Sequence, residues 1–160
     1  MALEALVAVG AAPNDSRISH GLGGTVKAWS RTIEVSANAN ANSTYDFGYI
    51  PANARILGLS KVSWDDLAST GSPTLKIGLF AVDNNVTSVD NALTDSLDLA
   101  TAASAAQLIK DIANCGKKAW QYLGNTTVEP KGSLLVRGTL TAAAANTGGT
   151  ITVELLFLVP

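Results

Sequence analysis

The sequence is poor in the side chains that carry out catalysis and bind metals. Its 160 residues include one cysteine and one histidine, and charged residues make up 15% of the chain. One cysteine cannot close an internal disulfide, and one histidine cannot supply a histidine-rich zinc site. These counts exclude zinc ribbons and disulfide-stabilised scaffolds, and we expect neither a metal nor a cofactor.

Charge is scarce and scattered along the chain. Eleven lysine and arginine residues stand against 13 aspartate and glutamate residues, which gives a formal net charge of -2 at pH 7. A surface that follows a phosphate backbone needs clustered basic residues, so we do not expect nucleic acid as a partner. No apolar run approaches the roughly 18 residues that cross a bilayer, so we expect no membrane contact. Hydrophobic residues make up 47% of the chain, which is enough for one packed domain.

The few reactive side chains do not form a catalytic pattern. His20 lies in a glycine-rich stretch without a nucleophile motif, and Asp65 and Asp66 are adjacent rather than placed to converge on one bond. Cys115 is the only thiol, and we interpret it as a structural residue. We therefore predict that the protein is not an enzyme.

The start of the chain differs in composition from the rest. Residues 10–24 are rich in Gly, Pro, Asn and Ser, which is typical of an extended segment, and the residues before them are apolar. We divide the chain into an N-terminal arm, residues 1–25, and a sandwich domain, residues 26–160. The apolar tip of the arm is predicted to dock on a neighbouring chain, with a first strand or a frayed terminus as the alternative. The candidate docking residues are Leu3, Leu6, Val7 and Val9.

Most of the chain after the arm alternates between apolar and polar residues in short runs bounded by turn residues. This pattern is typical of an antiparallel β-sandwich or barrel. Tyr45, Phe47 and Tyr49 alternate in one such run and are predicted to point to the same side. Residues 142–149 fit the loop of a β-hairpin between the last two strands. The clearest runs are residues 27–35, 74–80, 133–141 and 150–159.

One segment has helical spacing instead. Apolar residues at positions i, i+3, i+4 and i+7 predict a helix over residues 101–113. A second helical turn is predicted over residues 117–123, ended by Gly124. The fold class predicted from these patterns is all-β: an antiparallel sandwich with one short helical excursion. The residues of the helical stripe are Ala105, Leu108, Ile109 and Ile112.

Several positions predicted to face solvent are apolar. Leu156 and Leu158 alternate with the inward row of the last strand, and Leu135 does the same one strand earlier. Because an exposed aliphatic stripe usually marks a contact surface, we predict that these three leucines face a neighbouring subunit or a covering arm. A sugar-binding platform of aromatic side chains is the alternative. Its candidates are Trp29, Tyr45, Phe47, Tyr49, Trp64 and Trp120.

Three stretches together resemble a group of small virion proteins of tailed phages, the capsid decoration or cement proteins. Residues 44–57 (TYDFGYIPANARIL) resemble their aromatic strand, Ile-Pro-Ala-Asn-Ala turn and aliphatic strand. Residues 73–80 (PTLKIGLF) are similar to their Asp-Ile-Gly-Leu-Tyr strand, and residues 116–124 (GKKAWQYLG) to their Gly-Lys-Arg-Leu-Trp-Glu-Leu-Ala-Gly segment. The resemblance covers roughly residues 44–158 and leaves out the arm.

This resemblance implies a β-sandwich or jelly-roll module on the outer surface of an assembled phage head, commonly as a trimer. The implied partners are the major capsid protein and further copies of the chain. The implied function is structural, because such a protein binds the capsid lattice and stabilises it. The alternative from another class is a carbohydrate-binding or adhesion module displayed on the virion, as a component of the tail or of a head fibre.

Overall fold

Almost all regular structure in the described part of the chain is β-strand. The computed structural model describes residues 5–7, 24–68, 71–82, 86–109, 111–124, 132–142 and 147–159. Within these ranges the strands are β1 Ala5–Val7, β2 Thr25–Val35, β3 Thr44–Pro51, β4 Arg55–Ile56, β5 Lys61–Trp64, β6 Thr74–Ala81, β7 Val89–Asp98, β8 Ala103–Gln107, β9 Ser133–Ala142 and β10 Gly149–Val159. Two short 3₁₀ helices, Ile112–Asn114 and Ala119–Leu123, complete the described elements.

The strands form two antiparallel sheets that pack face to face. The six-stranded sheet has the order β1-β2-β10-β5-β8, with β4 also paired with β10, and the four-stranded sheet has the order β3-β9-β6-β7. Without the short β1 and β4, two sheets of four strands are left, with the strand order of a jelly roll. The predicted all-β, jelly-roll-like sandwich is therefore confirmed.

Strict alternation in the sequence produces the core. Successive side chains of a strand point to opposite faces of its sheet, so one row of each strand is buried between the sheets. Each fully buried aliphatic side chain contributes about 1.5–3 kcal/mol to the free energy of unfolding. The buried rows are Leu75, Ile77 and Leu79 of β6; Leu134, Val136 and Leu140 of β9; and Ile151, Val153, Leu155 and Phe157 of β10.

The predicted helix over residues 101–113 is wrong, and only the short 3₁₀ helix Ile112–Asn114 begins near its end. Ala103–Gln107 forms β8, which pairs antiparallel with β5 at the edge of the six-stranded sheet. Ala105, the first member of the helical stripe, is exposed, whereas Leu108 and Ile109 are buried just after the strand ends. The amide of Leu108 donates to the carbonyl of Ser60 at 3.0 Å, which continues the strand pairing. Pairing with β5 overrides the weak local preference of this Ala- and Ser-rich segment.

The second helical turn is confirmed, and the hairpin is not. Ala119–Leu123 is a 3₁₀ helix that ends at Gly124, as the sequence predicts. The predicted hairpin across residues 142–149 is wrong, because β9 belongs to the four-stranded sheet and β10 to the six-stranded sheet. Both edges of β9 are taken by β3 and β6, and both edges of β10 by β2 and β5. The loop therefore connects the two sheets.

A β-bulge in β3 places Phe47 and Tyr49 on opposite faces of the sheet. Asp46 is opposite Arg137 and Gly48 is opposite Val136, so Phe47 has no opposite residue on β9. Phe47 is 2% exposed in the core, whereas Tyr49 is 57% exposed on the outer face. The prediction that the aromatic residues of this strand share one side is therefore wrong. An extra residue in a strand moves every later side chain to the opposite face.

Candidate functional site

The outer face of the six-stranded sheet is apolar at one end. In β10 the outer row begins with Thr150, Thr152 and Glu154 and ends with Leu156 and Leu158, all of them half-buried. The polar half is paired across the sheet: the hydroxyls of Thr32 and Thr152 are 2.8 Å apart, and Lys61 Nζ lies 3.0 Å from Glu154 Oε2. At the other half, Leu156 is opposite Ala28 and Leu158 is opposite Val26. We call Val26, Ala28, Leu156 and Leu158 the apolar end.

A tight turn fixes the backbone of the apolar end. Ser60 is fully buried, and its hydroxyl donates to the carbonyl of Leu156 at 3.1 Å while accepting the amide of Leu156 at 3.0 Å. The amide of Leu57 donates to the same carbonyl at 2.9 Å. The turn between these residues carries Leu59, whose side chain is 77% exposed. A large exposed aliphatic side chain thus belongs to the turn that holds Leu156 in place.

The arm reaches the same end of the sheet. β1 pairs antiparallel with β2, with Leu6 opposite Ala28 and Val7 opposite Lys27. Ala28 is in turn opposite Leu156, so the backbone register brings Leu6 into line with the apolar end. Leu3 and Val9 lie outside the described residues. Of the candidate residues, the structure thus brings Leu6, Val7, Leu156 and Leu158 to one region, and their contact with a partner stays a prediction.

Leu135 lies on a different face. It belongs to the outer row of β9 in the four-stranded sheet, opposite Tyr49 of β3 and Phe80 of β6. Between these two larger side chains Leu135 is only 8% exposed. Val82 follows two residues after Phe80 and is 63% exposed. We call Tyr49, Leu135, Phe80 and Val82 the aromatic row.

An ion pair between Arg137 and Asp46 borders the aromatic row. Arg137 makes a bidentate contact with Asp46, with Nη2 to Oδ2 at 3.0 Å, and its guanidinium carbon lies 5.0 Å from the centre of the Phe80 ring. The hydrogen bonds that Arg137 donates to the carboxylate of Asp46 raise the pKa of Arg137. Because the carboxylate balances the guanidinium and the ring packs against it, this face presents apolar and aromatic area with little net charge.

An open pocket of about 370 Å³ lies where β5, β8 and β10 meet. The carboxylate of Asp65 accepts the amide of Thr150 at 2.7 Å and its hydroxyl at 2.8 Å, and these bonds lower the pKa of Asp65. The indole of Trp64 donates to the carbonyl of Thr101 at 2.9 Å. The pocket is therefore lined by one aromatic residue and by polar groups that hydrogen bonds hold in place. Its lining residues are Ser63, Trp64, Asp65, Ala102, Ala103 and Thr150.

The other singled-out residues are structural or lie outside the described ranges. Cys115 is half-buried, with its sulfur packed against Gly58, and His20 is outside the described residues. Trp29 and Phe47 are in the core, with Tyr45 and Trp120 packed against it, so the aromatic candidates do not form one sugar platform. In the described part of the chain, no three metal-ligating side chains form a group, and no helix is long and apolar enough to cross a bilayer.

Of the aromatic row, the sequence identifies Leu135 and Tyr49 as candidates but not Phe80 and Val82. A signal for Phe80 and Val82 is present in the sequence. They are two positions apart in one run, so alternation places both apolar side chains on the outer face. The alternation predicts Tyr49 on the same side as Phe47, and this is wrong because the bulge at Phe47 has no clear sequence signature beyond Gly48. Gly48 has a φ of 154°, a conformation that glycine adopts more readily than other residues.

The fold is shared with chains of two phage capsid structures. A chain of the Cyanophage Pam1 capsid asymmetric unit matches with a TM-score of 0.60 and 18% identity, over 88% of this chain and 89% of that one. A chain of the capsid of Ralstonia phage GP4 matches with a TM-score of 0.57 and 18% identity, over 83% and 84%. No family model and no curated protein matches the sequence. These likenesses establish a common fold.

Proposed function

We propose that the protein is a non-enzymatic structural component of a phage virion, a decoration protein that binds the outer surface of the head through the aromatic row. The observation that carries the proposal is the line of Tyr49, Leu135 and Phe80 across three adjacent strands, with Tyr49 57% exposed. Aromatic residues and arginine are enriched in protein interfaces, and large exposed apolar patches are rare on proteins without partners.

The chemistry of this face favours a protein surface as its partner. The Arg137–Asp46 pair leaves no concentrated charge to attract a phosphate or an acidic ligand. A rigid sheet with apolar area suits contact with a regular lattice such as the major capsid protein forms. The fold shared with chains of two phage capsid structures supports the same assignment.

The test is binding to heads assembled from the major capsid protein of the phage that carries this chain. Purified protein is mixed with undecorated heads, and the bound fraction is measured by sedimentation, with its position found by cryo-electron microscopy. Tyr49→Ala combined with Val82→Ser is expected to weaken binding strongly. Thr32→Ala on the polar half of the other sheet is the matched surface control. The proposal would be overturned if the natural protein did not bind heads, or if the double variant bound them as the natural chain does.

The alternative, a carbohydrate-binding module, is supported by the pocket beside Trp64. There an aromatic ring, a fixed carboxylate and hydroxyls line one concave site, the usual composition of a small-ligand site. Titration with a panel of monosaccharides, followed by NMR shifts of Trp64 and Thr150, tests it. Saturable shifts that Trp64→Ala abolishes would favour this function over head binding, and unchanged spectra would reject it.

A further inference from the structure

We propose that Arg137 determines what the aromatic row recognises: the Nη1 group of its guanidinium donates to an uncharged carbonyl oxygen of the partner protein. This role rests on the proposed function, because it names the chemical group that the face binds on the shell. Arg137 lies in the outer row of β9, two residues after Leu135, and is opposite Asp46 of β3. It therefore borders the apolar area that Tyr49 and Phe80 provide.

Two contacts fix the plane of the guanidinium before a partner binds. Nε and Nη2 of Arg137 donate to the two carboxylate oxygens of Asp46, the second at 3.0 Å. The guanidinium carbon lies 5.0 Å from the centre of the Phe80 ring. A bidentate contact sets the direction of a guanidinium, and packing on an aromatic ring limits its tilt. Binding a partner therefore costs little side-chain entropy at Arg137.

The Nη1 group is the part of the guanidinium that Asp46 does not engage. Arginine has N–H donors on Nε, Nη1 and Nη2 and has no acceptor. Within the described residues, Nε and Nη2 donate to Asp46, and Nη1 makes no hydrogen bond. The side chain of Arg137 is 31% exposed, so a partner can reach it. A partner that covers this face has to supply an acceptor, because a buried N–H without one lowers the affinity.

The ion pair decides which acceptor fits. The carboxylate of Asp46 already balances the positive charge of Arg137. A second carboxylate, or a phosphate, at Nη1 would lie close to this carboxylate and be repelled by it. A main-chain or amide carbonyl oxygen carries no net charge and avoids that repulsion. Such an oxygen, surrounded by apolar side chains that cover Tyr49 and Phe80, is the partner chemistry that this face fits.

Head binding by Arg137→Lys tests the role. Lysine keeps the positive charge and loses the planar arrangement of donors, so the affinity for heads is expected to fall about tenfold. Arg55→Lys is the matched control, because Arg55 belongs to the other sheet and donates to the carbonyl of Gly116 at 2.7 Å. It should bind heads as the natural chain does. The thermal midpoint of both variants, from circular dichroism, separates a loss of binding from a loss of fold.

A cryo-electron microscopy map of heads decorated with the natural chain provides the direct measurement. An uncharged carbonyl oxygen of the shell is expected about 3 Å from Nη1. A carboxylate or solvent at this place would overturn the role of Arg137, as would an Arg137→Lys variant that binds as tightly as the natural chain. If Arg137→Lys did not fold, the map alone would decide.

The variants also separate this role from the proposed function. Weak binding by Tyr49→Ala with Val82→Ser, together with normal binding by Arg137→Lys, would overturn only the role of Arg137. A natural chain that did not bind heads, or a double variant that bound them normally, would overturn both.

Discussion

The backbone of β7 leaves no room for a side chain at Gly78 of β6. A Cβ atom there would lie 2.2 Å from the carbonyl oxygen of Val89 and 2.5 Å from Cα of Asp90. The register explains this, because Ile77 is opposite Thr94 but Leu79 is opposite Val89. Gly78→Ala is therefore expected to lower the free energy of unfolding by about 3 kcal/mol, since backbone has to move. Chemical denaturation measures it.

Gly148→Ala is the matched control for that substitution. A Cβ atom at Gly148 would meet the carbonyl oxygen of Val35 at 3.4 Å, an ordinary contact. Its effect on the free energy of unfolding is expected to stay within about 1 kcal/mol. Equal losses in the two variants would show that the approach of β7 over Gly78 does not limit the side chain there.

Asp65 shows how a strand end fixes a carboxylate. The hydroxyl and the amide of Thr150 both donate to it and hold its pKa below the ordinary value of 3.8. The folded state thus binds this proton less tightly than the unfolded state. The stabilisation is complete above the ordinary carboxyl pKa and is lost as the pH falls through the folded value.

Thr150→Val removes the hydroxyl and keeps the amide. The pKa of Asp65, followed by NMR titration of its carboxyl carbon, is expected to rise toward 3.8 without reaching it. Ser63→Ala, which alters another hydroxyl of the same pocket, serves as the control and should leave this pKa in place. A Thr150→Val variant with an unchanged pKa would show that the hydroxyl bond does not hold the carboxylate.

At the scale of elements, the sequence predicts strands whose alternation is unbroken. The inward row of β10 and the Leu75–Ile77–Leu79 row of β6 were predicted, because every second residue is apolar. β7 was not predicted, since its pairing with β6 is irregular and its sequence, VDNALTDSLD, shows no simple period. The sequence predicts a helix at β8 because Leu108 and Ile109 complete a helical spacing. In the structure they are buried in the core just after the strand ends. Irregular pairing depends on the neighbouring strand, which local sequence does not encode.

Deletion of residues 1–12 tests the arm as an element. It removes β1, a strand of three residues, while the buried core belongs to the rest of the chain. The thermal midpoint is expected to change little. If the arm docks on a neighbouring copy, attachment to heads should weaken at least about tenfold, because single copies bind without avidity. Circular dichroism and head sedimentation measure the two effects. Unchanged attachment would show that the arm is not an anchor.

A full-length control separates the effect of the arm's apolar side chains from the effect of removing the segment. Serine at the four apolar tip positions, Leu3, Leu6, Val7 and Val9, keeps the connection and removes its aliphatic side chains. We expect the same loss of attachment as in the deletion. If the serine variant attaches normally while the deletion does not, backbone pairing alone anchors the arm.

At the scale of the whole molecule, the candidate residues divide between the two outer faces of a sandwich. The sequence identified Leu135, Leu156 and Leu158 through the same alternation, but it could not tell that β9 and β10 belong to different sheets. The strand order decides this, and it depends on pairings between residues more than a hundred positions apart, such as Trp29 with Leu155. The apolar end and the aromatic row consequently face away from each other, so one face can bind copies while the other binds a shell.

This division predicts two separable defects. Tyr49→Ala is expected to cost about 2 kcal/mol in head binding, or about 30-fold in Kd, and to leave any association between copies unchanged, because Tyr49 is remote from the apolar end. If the chain forms the trimer that its resemblance implies, Leu156→Ser with Leu158→Ser is expected to shift that trimer toward monomer in analytical ultracentrifugation. It should also weaken head binding, because a monomer loses the avidity of three linked contacts. Loss of the trimer in the Tyr49 variant, or full head binding by a monomeric leucine variant, would show that the two faces do not act independently.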